Sequence, residues 1–174
     1  MPKVSMKQID ADEKKVIAEL EHNSNESIDQ LAKRCHFSRQ KVWRIIKKLE
    51  KNETIWGYHA IIDYEKLNLK RYIILIKKSH LPAREIVSNI ISRELEEKAK
   101  DIGITILTSE YIHGTFDWHI TFTAGDIKEA KKFCEALNRM YPQHISEMHL
   151  LEIIFPVKKC NIKNPNVDKL KEFI

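Results

Sequence analysis

Residues 33–51 concentrate the side chains of this sequence that can bind an anion. They include eight basic residues and a single acidic one, Glu50, so this stretch carries +7 whereas the whole chain carries +5. Ser38 lies near its start and is a favourable N-cap residue. Four apolar residues follow at the spacing i, i+3, i+4 and i+7 of one helix face: Val42, Ile45, Ile46 and Leu49. The pattern predicts a capped amphipathic helix, apolar on one side and cationic on the other.

The cationic side of this helix has groups that suit double-stranded DNA. An arginine can donate two hydrogen bonds to guanine and a glutamine can bond adenine, which are the roles we expect for Arg44 and Gln40. Lysines such as Lys51 can neutralise phosphates, so that binding weakens as salt rises. Ten residues are predicted to contact DNA: Lys33, Arg34, Ser38, Arg39, Gln40, Lys41, Trp43, Arg44, Lys47 and Lys48.

Two alternatives remain for this surface. The charged face of a helix often only contacts solvent. Here, however, the excess of positive charge is confined to residues 33–51 while the rest of the chain is net acidic, and this distribution is less typical of a face that only contacts solvent. Trp43 could equally be a partly buried aromatic residue at the edge of the domain. The sequence therefore favours a DNA-binding helix but leaves the role of Trp43 open.

Two capping-box patterns precede this helix. Asp10-x-x-Glu13 and Ser27-x-x-Gln30 place a capping side chain three residues before an acid or amide, as at helix N-termini. They predict two further helices, and only residues 35–37 separate the second from Ser38. Three short helices with such a tight turn are typical of a helix-turn-helix. The strand formers of residues 55–63 predict a small wing or ribbon after it.

The second half of the chain predicts four strands and two helices in the order βαββαβ, which is typical of a ferredoxin-like fold. The first and last strands are apolar on both faces, and a monomer rarely exposes an apolar sheet face. We therefore expect a homodimer made sheet against sheet. The expected strands are 71–78, 104–112, 116–123 and 145–157, and the expected helices run from Pro82 to near Gly103 and over 126–141.

The expected fold class is α+β, with two domains. Residues 1–63 are predicted to form a winged helix-turn-helix domain and 64–70 a linker. Residues 71–158 are predicted to form a ferredoxin-like dimerisation and effector domain. A tail over 159–174 contains a short predicted helix after Pro165.

Composition limits the other classes of protein. No apolar run is long enough to span a bilayer and no apolar signal segment opens the chain, so we expect a cytoplasmic protein. The three cysteines include no Cys-x-x-Cys pair, which supports neither a disulfide framework nor a zinc ribbon. The eight histidines lack the spacing of metal ligands. We predict no metal and no cofactor.

Several motifs, in their order, resemble those of the Lrp/AsnC or feast/famine transcription regulators over about residues 9–158. The resemblance implies a DNA-binding regulator rather than an enzyme, which forms dimers or larger assemblies of dimers such as tetramers and octamers. The matching segments are Leu31–Arg34, Ser38–Arg44, Ile46–Glu50 and Ile55–Tyr58, together with the turn Gly114-Thr-Phe-Asp117.

The Gly114–Asp117 turn is a second candidate site, and only through this resemblance. Small effectors, usually amino acids, bind near this turn in the family, which implies effector contacts from Gly114, Thr115 and Asp117. The alternative is that these residues only build a tight turn.

The sequence departs from the family pattern at three single positions, and its segment from Glu96 to Ile104 is longer than usual. His36 and Glu53 stand where glycine is usual, so we expect His36 and, in place of Glu53, Asn52 to adopt the left-handed conformation. Ile45 stands where arginine is frequent, which removes one candidate phosphate contact.

The main rival hypothesis is an enzyme. Siroheme decarboxylases resemble Lrp/AsnC proteins in fold, and residues 118–122 resemble their third strand. Residues 105–113, however, include no arginine that could meet a tetrapyrrole carboxylate, and the cationic helix would have no role. That helix also disfavours a third hypothesis, an amino-acid-sensing adaptor without DNA binding.

Overall fold

Three short helices build the first of two units in the structure, a computed structural model that describes residues 10–80 and 94–174. They are α1 (Ala11–His22), α2 (Ile28–Cys35) and α3 (Arg39–Lys51). The same unit includes the tail, Val157–Ile174. Over the described ranges, no helix has both the length and the apolar character needed to cross a membrane.

All three helices begin at the predicted caps. The Glu13 N–H donates to Asp10 Oδ1 over 2.8 Å, and the Asp10 N–H donates to Glu13 Oε2 over 3.2 Å. Ser27 and Gln30 form the same reciprocal pair. Ser38 Oγ accepts a hydrogen bond from a first-turn N–H over 3.3 Å. The helix starts that the sequence predicts are therefore confirmed.

The turns after α2 and α3 both contain a non-glycine residue in the left-handed region. His36 has a φ of 53°, as predicted. After α3 the prediction is wrong by one position, because Glu53 has a φ of 57° and Asn52 a φ of −89°. The Thr54 N–H donates to Leu49 O over 2.9 Å and closes the turn around Glu53. The left-handed residue after α3 is therefore one position later in the chain than expected.

Apolar residues of the three helices meet in one core. Its members Val16, Leu31, Cys35, Val42 and Leu49 are no more than 2% exposed. All four apolar residues predicted for one face of α3 are buried. Because this packing fixes how α3 is rotated, the polar side of α3 must face outward.

The predicted wing is wrong as a paired ribbon. Residues 54–63 form no strand. A strand needs a neighbouring segment to hydrogen-bond with, and neither sheet of the described part of the chain includes these residues. A hairpin forms in the tail instead, where β5 (Lys158–Lys159) pairs with β6 (Ile162–Lys163). The predicted tail helix is a 3₁₀ helix, Val167–Glu172, without a side-chain cap. Six uncapped residues are too few for a stable α-helix.

The second unit, Ile62–Pro156, contains a four-stranded antiparallel sheet. Its strands are β1 (Lys70–Lys78), β2 (Thr105–Tyr111), β3 (Trp118–Ala124) and β4 (Ile145–Ile153), in the spatial order β2-β3-β1-β4. A 3₁₀ turn, Tyr64–Leu67, lies in the predicted linker. The last strand is shorter than predicted because Ile153 pairs with Arg71, one residue after β1 begins.

Two described helices pack against this sheet, α4 (Glu94–Asp101) and α5 (Ile127–Met140). The predicted helix from Pro82 falls largely on residues 81–93, which lie outside the described residues. The most deeply buried core side chains include Tyr72, Ile74, Ile120, Phe122, Phe133 and Leu137. The α+β class and the ferredoxin-like strand order are confirmed.

Candidate nucleic-acid interface

The outward side of α3 presents the side chains that the sequence predicts for base contacts. Gln40 and Arg44 are exposed, and neither makes an ion pair or side-chain hydrogen bond with any described residue. Trp43 is 50% exposed, so half of its side-chain surface remains available to a partner. These three side chains project from a helix whose other side is buried, so the first unit holds them in a fixed place.

Two further cations remain available beside them. Lys33 on α2 and Lys51 at the end of α3 are exposed, and neither pairs with an acid within the described ranges. An exposed ammonium without a partner can neutralise a phosphate without first breaking another ion pair. Lys33 and Lys51 are therefore the lysines of this surface best placed to contribute salt-sensitive binding.

Helix α1 holds two of the other predicted contacts. Lys41 Nζ lies 2.5 Å from Asp12 Oδ2 and 3.9 Å from the centre of the Phe37 ring. Lys48 pairs with Glu13, whose side chain is 6% exposed, and this hydrogen bond raises the pKa of Lys48. Both pairs join α3 to α1. We name them the α1 clamps, because each holds a predicted phosphate contact against an acid.

Arg34, Arg39 and Lys47 also have acidic neighbours. Arg34 Nη2 lies 2.6 Å from Glu26 Oε1 and Arg34 Nη1 lies 3.4 Å from Glu19 Oε2. The Arg39–Asp29 pair is longer, at 3.6 Å, and both of its side chains are more than half exposed. Exposed pairs of this kind contribute little to stability, so Arg39 remains the easiest of the three to redirect.

Lys47 belongs to a three-residue chain at the end of α3. Lys47 Nζ lies 2.7 Å from Glu50 Oε2, while the Tyr58 hydroxyl donates to Glu50 Oε1 over 3.2 Å. The hydrogen bond from Lys47 is the main cause that lowers the pKa of Glu50. The Lys47–Glu50–Tyr58 chain thus connects the outward side of α3 to the segment that follows it.

The sequence pattern missed the acidic partners of the cations. Asp12, Glu13, Glu19 and Glu26 lie outside residues 33–51, so a charge count within that stretch cannot include them. Periodicity within one helix gives the face of each residue but not its partner on another helix. The net positive charge of residues 33–51 therefore overstates how many of their cations lack an acidic partner.

The Gly114–Asp117 turn is well ordered by hydrogen bonds in the second unit. Gly114 has a φ of 154°, which side-chain-bearing residues rarely adopt. Asp117 Oδ2 accepts the Lys78 N–H over 2.9 Å, and Lys78 Nζ lies 3.7 Å from Asp117 Oδ1 and 3.0 Å from the Tyr111 hydroxyl. The Asp117 carboxylate is thus already engaged in the turn, with Thr115 exposed beside it.

The sheet face opposite the core has apolar residues at its centre. Ile73 pairs with Leu151 across β1 and β4, and Arg71 pairs with Ile153 on the same side. Leu151 is 46% exposed. His119 on β3 lies on this face too, and its ring nitrogens contact Glu110 Oε2 at 3.2 Å and Thr121 Oγ1 at 3.1 Å.

Residues 10–55 match the family of winged helix-turn-helix DNA-binding domains. The match spans α1, α2 and α3 and ends at Ile55. A comparison with curated proteins gives no match.

Three solved structures share the fold over most of this chain. A transcriptional regulator of Neisseria meningitidis complexed with L-methionine is 17% identical, with 91% of this chain and 98% of that one covered and a TM-score of 0.66. An AsnC family transcriptional regulator from Agrobacterium tumefaciens is 20% identical, with 86% and 93% covered and a TM-score of 0.64.

The third structure is a feast or famine regulatory protein of M. tuberculosis complexed with L-methionine. It is 14% identical, with 87% of this chain and 96% of that one covered and a TM-score of 0.69. The predicted resemblance is therefore confirmed: over most of its length this chain has the fold of the Lrp/AsnC regulators, and residues 10–55 are similar to the winged helix-turn-helix DNA-binding family.

Proposed function

We propose that this chain is a sequence-specific DNA-binding transcription regulator of the Lrp/AsnC type. The outward side of α3 carries the proposal, because Gln40 and Arg44 project there free of any described partner. The family match over residues 10–55 supports it. An α-helix fits the major groove of B-DNA, where arginine and glutamine can distinguish base pairs.

Binding combines a sequence-specific and a salt-sensitive part. Arg44 and Gln40 bond base edges, while Lys33 and Lys51 neutralise phosphates on either side. The clamped cations, Lys41 and Lys48, contribute only if their pairs with α1 open. The proposed complex therefore has fewer phosphate contacts than the eight basic residues of the stretch would allow.

Selection from a random duplex library tests the proposal. The full chain is incubated with the library at moderate salt, and bound duplexes are recovered and sequenced through several rounds. We expect one motif to be enriched and to be retarded in an electrophoretic shift. Recovery of no motif, with equal retardation of all duplexes, would refute sequence-specific regulation.

We also propose that two copies of the chain form a dimer through the sheet face opposite the core of the second unit. The strip around Ile73 and Leu151 is apolar and uncovered by any described helix. Pairing two such faces would remove this strip from water and would present two α3 helices to successive half-sites of a pseudo-palindromic operator.

Replacing Leu151 with glutamate is expected to produce a monomer. A carboxylate opposite Ile73 would lose its hydration in the interface, and burying an unpaired charge is strongly unfavourable. Sedimentation equilibrium gives the mass of the wild-type chain and the variant. Ile127→Glu, an exposed position at the start of α5, is the matched control and should remain dimeric. A monomeric wild type would contradict the dimer.

We also propose an amino-acid effector at the Gly114–Asp117 turn. The Lys78–Tyr111–Asp117 cluster offers an ammonium and a carboxylate close together, which suits the two charges of an amino acid. Gly114 and Thr115 supply backbone groups beside it. Two of the structures with the same fold were solved with L-methionine, which makes this amino acid the first to test.

Calorimetric titration of the full chain with L-methionine tests the effector. Lys78→Gln is expected to weaken binding about 10- to 150-fold, since one hydrogen-bonded charge contributes about 1.5–3 kcal/mol. Lys77→Gln is the control, because Lys77 pairs with Glu147 rather than Asp117. If none of the common amino acids produces heat, the effector part of the proposal fails while DNA binding stands.

A further inference from the structure

A cavity of about 540 Å³ lies within the first unit, away from the outward residues of α3. The end of α1 lines it with Ile17 and Leu20, and the segment after α3 lines it with Tyr58 and His59. The tail hairpin contributes the remaining wall through Cys160 and neighbouring residues. The tail is therefore part of the cavity, which gives this C-terminal segment a specific place in the DNA-binding unit.

The lining of the cavity has an apolar part and a polar part. Ile17, Leu20 and Ile162 are aliphatic, and the Tyr58 ring adds an aromatic surface. His59 Nε2 lies 3.9 Å from Cys160 Sγ on the polar side. Pockets of roughly 300–1,000 Å³ with an apolar lining and a few polar groups are the usual sites for small ligands.

We propose that this cavity binds a small, mainly apolar molecule with one hydrogen-bonding group, of the size of an indole derivative. The aliphatic side chains and the Tyr58 ring receive its apolar body, and the imidazole of His59 receives its polar group. This site shares no residue with the Gly114–Asp117 turn.

A chain of hydrogen bonds connects the cavity to the DNA-facing surface. Tyr58 lines the cavity and donates to Glu50, which in turn holds Lys47 of α3. The Tyr58 hydroxyl is a hydrogen-bond donor at neutral pH, since the ordinary tyrosine pKa is about 10, and partial burial and the nearby Glu50 raise the pKa of Tyr58 further. A ligand that moves the Tyr58 ring changes the Glu50 contact and thereby the freedom of Lys47. An effect of the ligand on DNA affinity rests on the proposed function, whereas binding of the ligand in the cavity does not.

Alkylation of Cys160 by N-ethylmaleimide reports occupancy directly. Cys160 is exposed and lines the cavity, whereas Cys35 is buried. With indole as the probe, we expect peptide mass spectrometry to show Cys160 alkylation slowed about tenfold at ten times the dissociation constant. Ile162→Trp adds a bulkier side chain to the cavity lining, where it obstructs indole, and should reduce the effect of indole. Ile174→Trp, at a 97% exposed position outside the cavity, should keep it.

Two outcomes would overturn the binding site. One is an unchanged Cys160 alkylation rate in the presence of indole. The other is equal protection in the Ile162→Trp and Ile174→Trp variants, which would mean that indole acts elsewhere.

The Tyr58→Phe variant tests the connection to α3. It keeps the ring but removes the hydroxyl that bonds Glu50, so indole should still protect Cys160. In the wild-type chain indole should change affinity for the selected duplex, and in Tyr58→Phe this change should disappear. An equal change in both would refute the connection. If the chain binds no DNA, the proposed function fails while protection of Cys160 still decides the cavity.

Discussion

Replacing Arg44 with alanine is expected to remove about 1–3 kcal/mol of binding free energy on the selected duplex, which is about a 5- to 150-fold loss of affinity. The reason is that Arg44 is exposed on the outward side of α3 and has no described partner. The loss should be confined to the preferred sequence. Fluorescence anisotropy with selected and scrambled duplexes measures both affinities.

Two matched variants separate base recognition from general charge. Lys51→Ala removes one phosphate contact, so it should weaken both duplexes alike and make the logarithmic salt dependence shallower by about 0.9. Arg139→Ala removes an exposed arginine of the second unit and should change neither affinity. Equal losses for Arg44→Ala on selected and scrambled duplexes would contradict base recognition by this residue.

Opening both α1 clamps is expected to strengthen DNA binding at low salt. The double variant Asp12→Asn and Glu13→Gln removes the acids that hold Lys41 and Lys48. Glutamine at position 13 keeps the capping box, in which a Glu or Gln side chain serves equally. Two released lysines should steepen the salt dependence of log affinity by about 1.8. Anisotropy titrations over a series of salt concentrations measure this change.

The matched control makes the same change of charge elsewhere. Glu97→Gln with Asp101→Asn removes two exposed acids of the second unit, and neither pairs with a cation in the described structure. It should leave the salt dependence nearly unchanged. If the two double variants steepen it equally, net charge rather than release of specific lysines determines binding.

The Lys48–Glu13 clamp also implies a pH dependence of stability. Its hydrogen bond raises the pKa of Lys48, so the pair stabilises the fold at pH values below the ordinary lysine pKa. That contribution is lost as pH rises through the raised pKa. Urea unfolding should therefore show a constant difference between the wild-type chain and Glu13→Gln from neutral pH to about 10, and a shrinking difference above it. A difference that grows above that pH would contradict the clamp.

Local signals in the sequence were sufficient for most of the fold. Capping boxes depend on residues three apart, so Asp10 and Ser27 mark helix starts without knowledge of the rest of the chain. The apolar face of α3 follows from its periodicity, and it determines which side chains point outward. The strand order followed from the succession of strands and helices.

Features that depend on contacts between distant segments could not be predicted in this way. Strand formers in residues 55–63 predict a ribbon, but a ribbon needs a neighbouring strand. The α1 clamps join Asp12 and Glu13 to lysines more than 25 positions later in the sequence, and no local pattern indicates such a pairing. The cavity forms only when the tail hairpin packs in the first unit. For the same reason, the predicted contact set included cations that the structure holds against acids.

The salt dependence of wild-type binding to the selected duplex tests most directly that the outward surface of α2 and α3 binds DNA through its unpaired cations. A plot of log affinity against log salt concentration should be linear. Its slope should be about −2 to −3 per protomer, because Lys33 and Lys51 are unpaired within the described structure and Arg44 adds charge beside them. A slope near zero, together with equal affinity for selected and scrambled duplexes, would contradict DNA recognition by this helix.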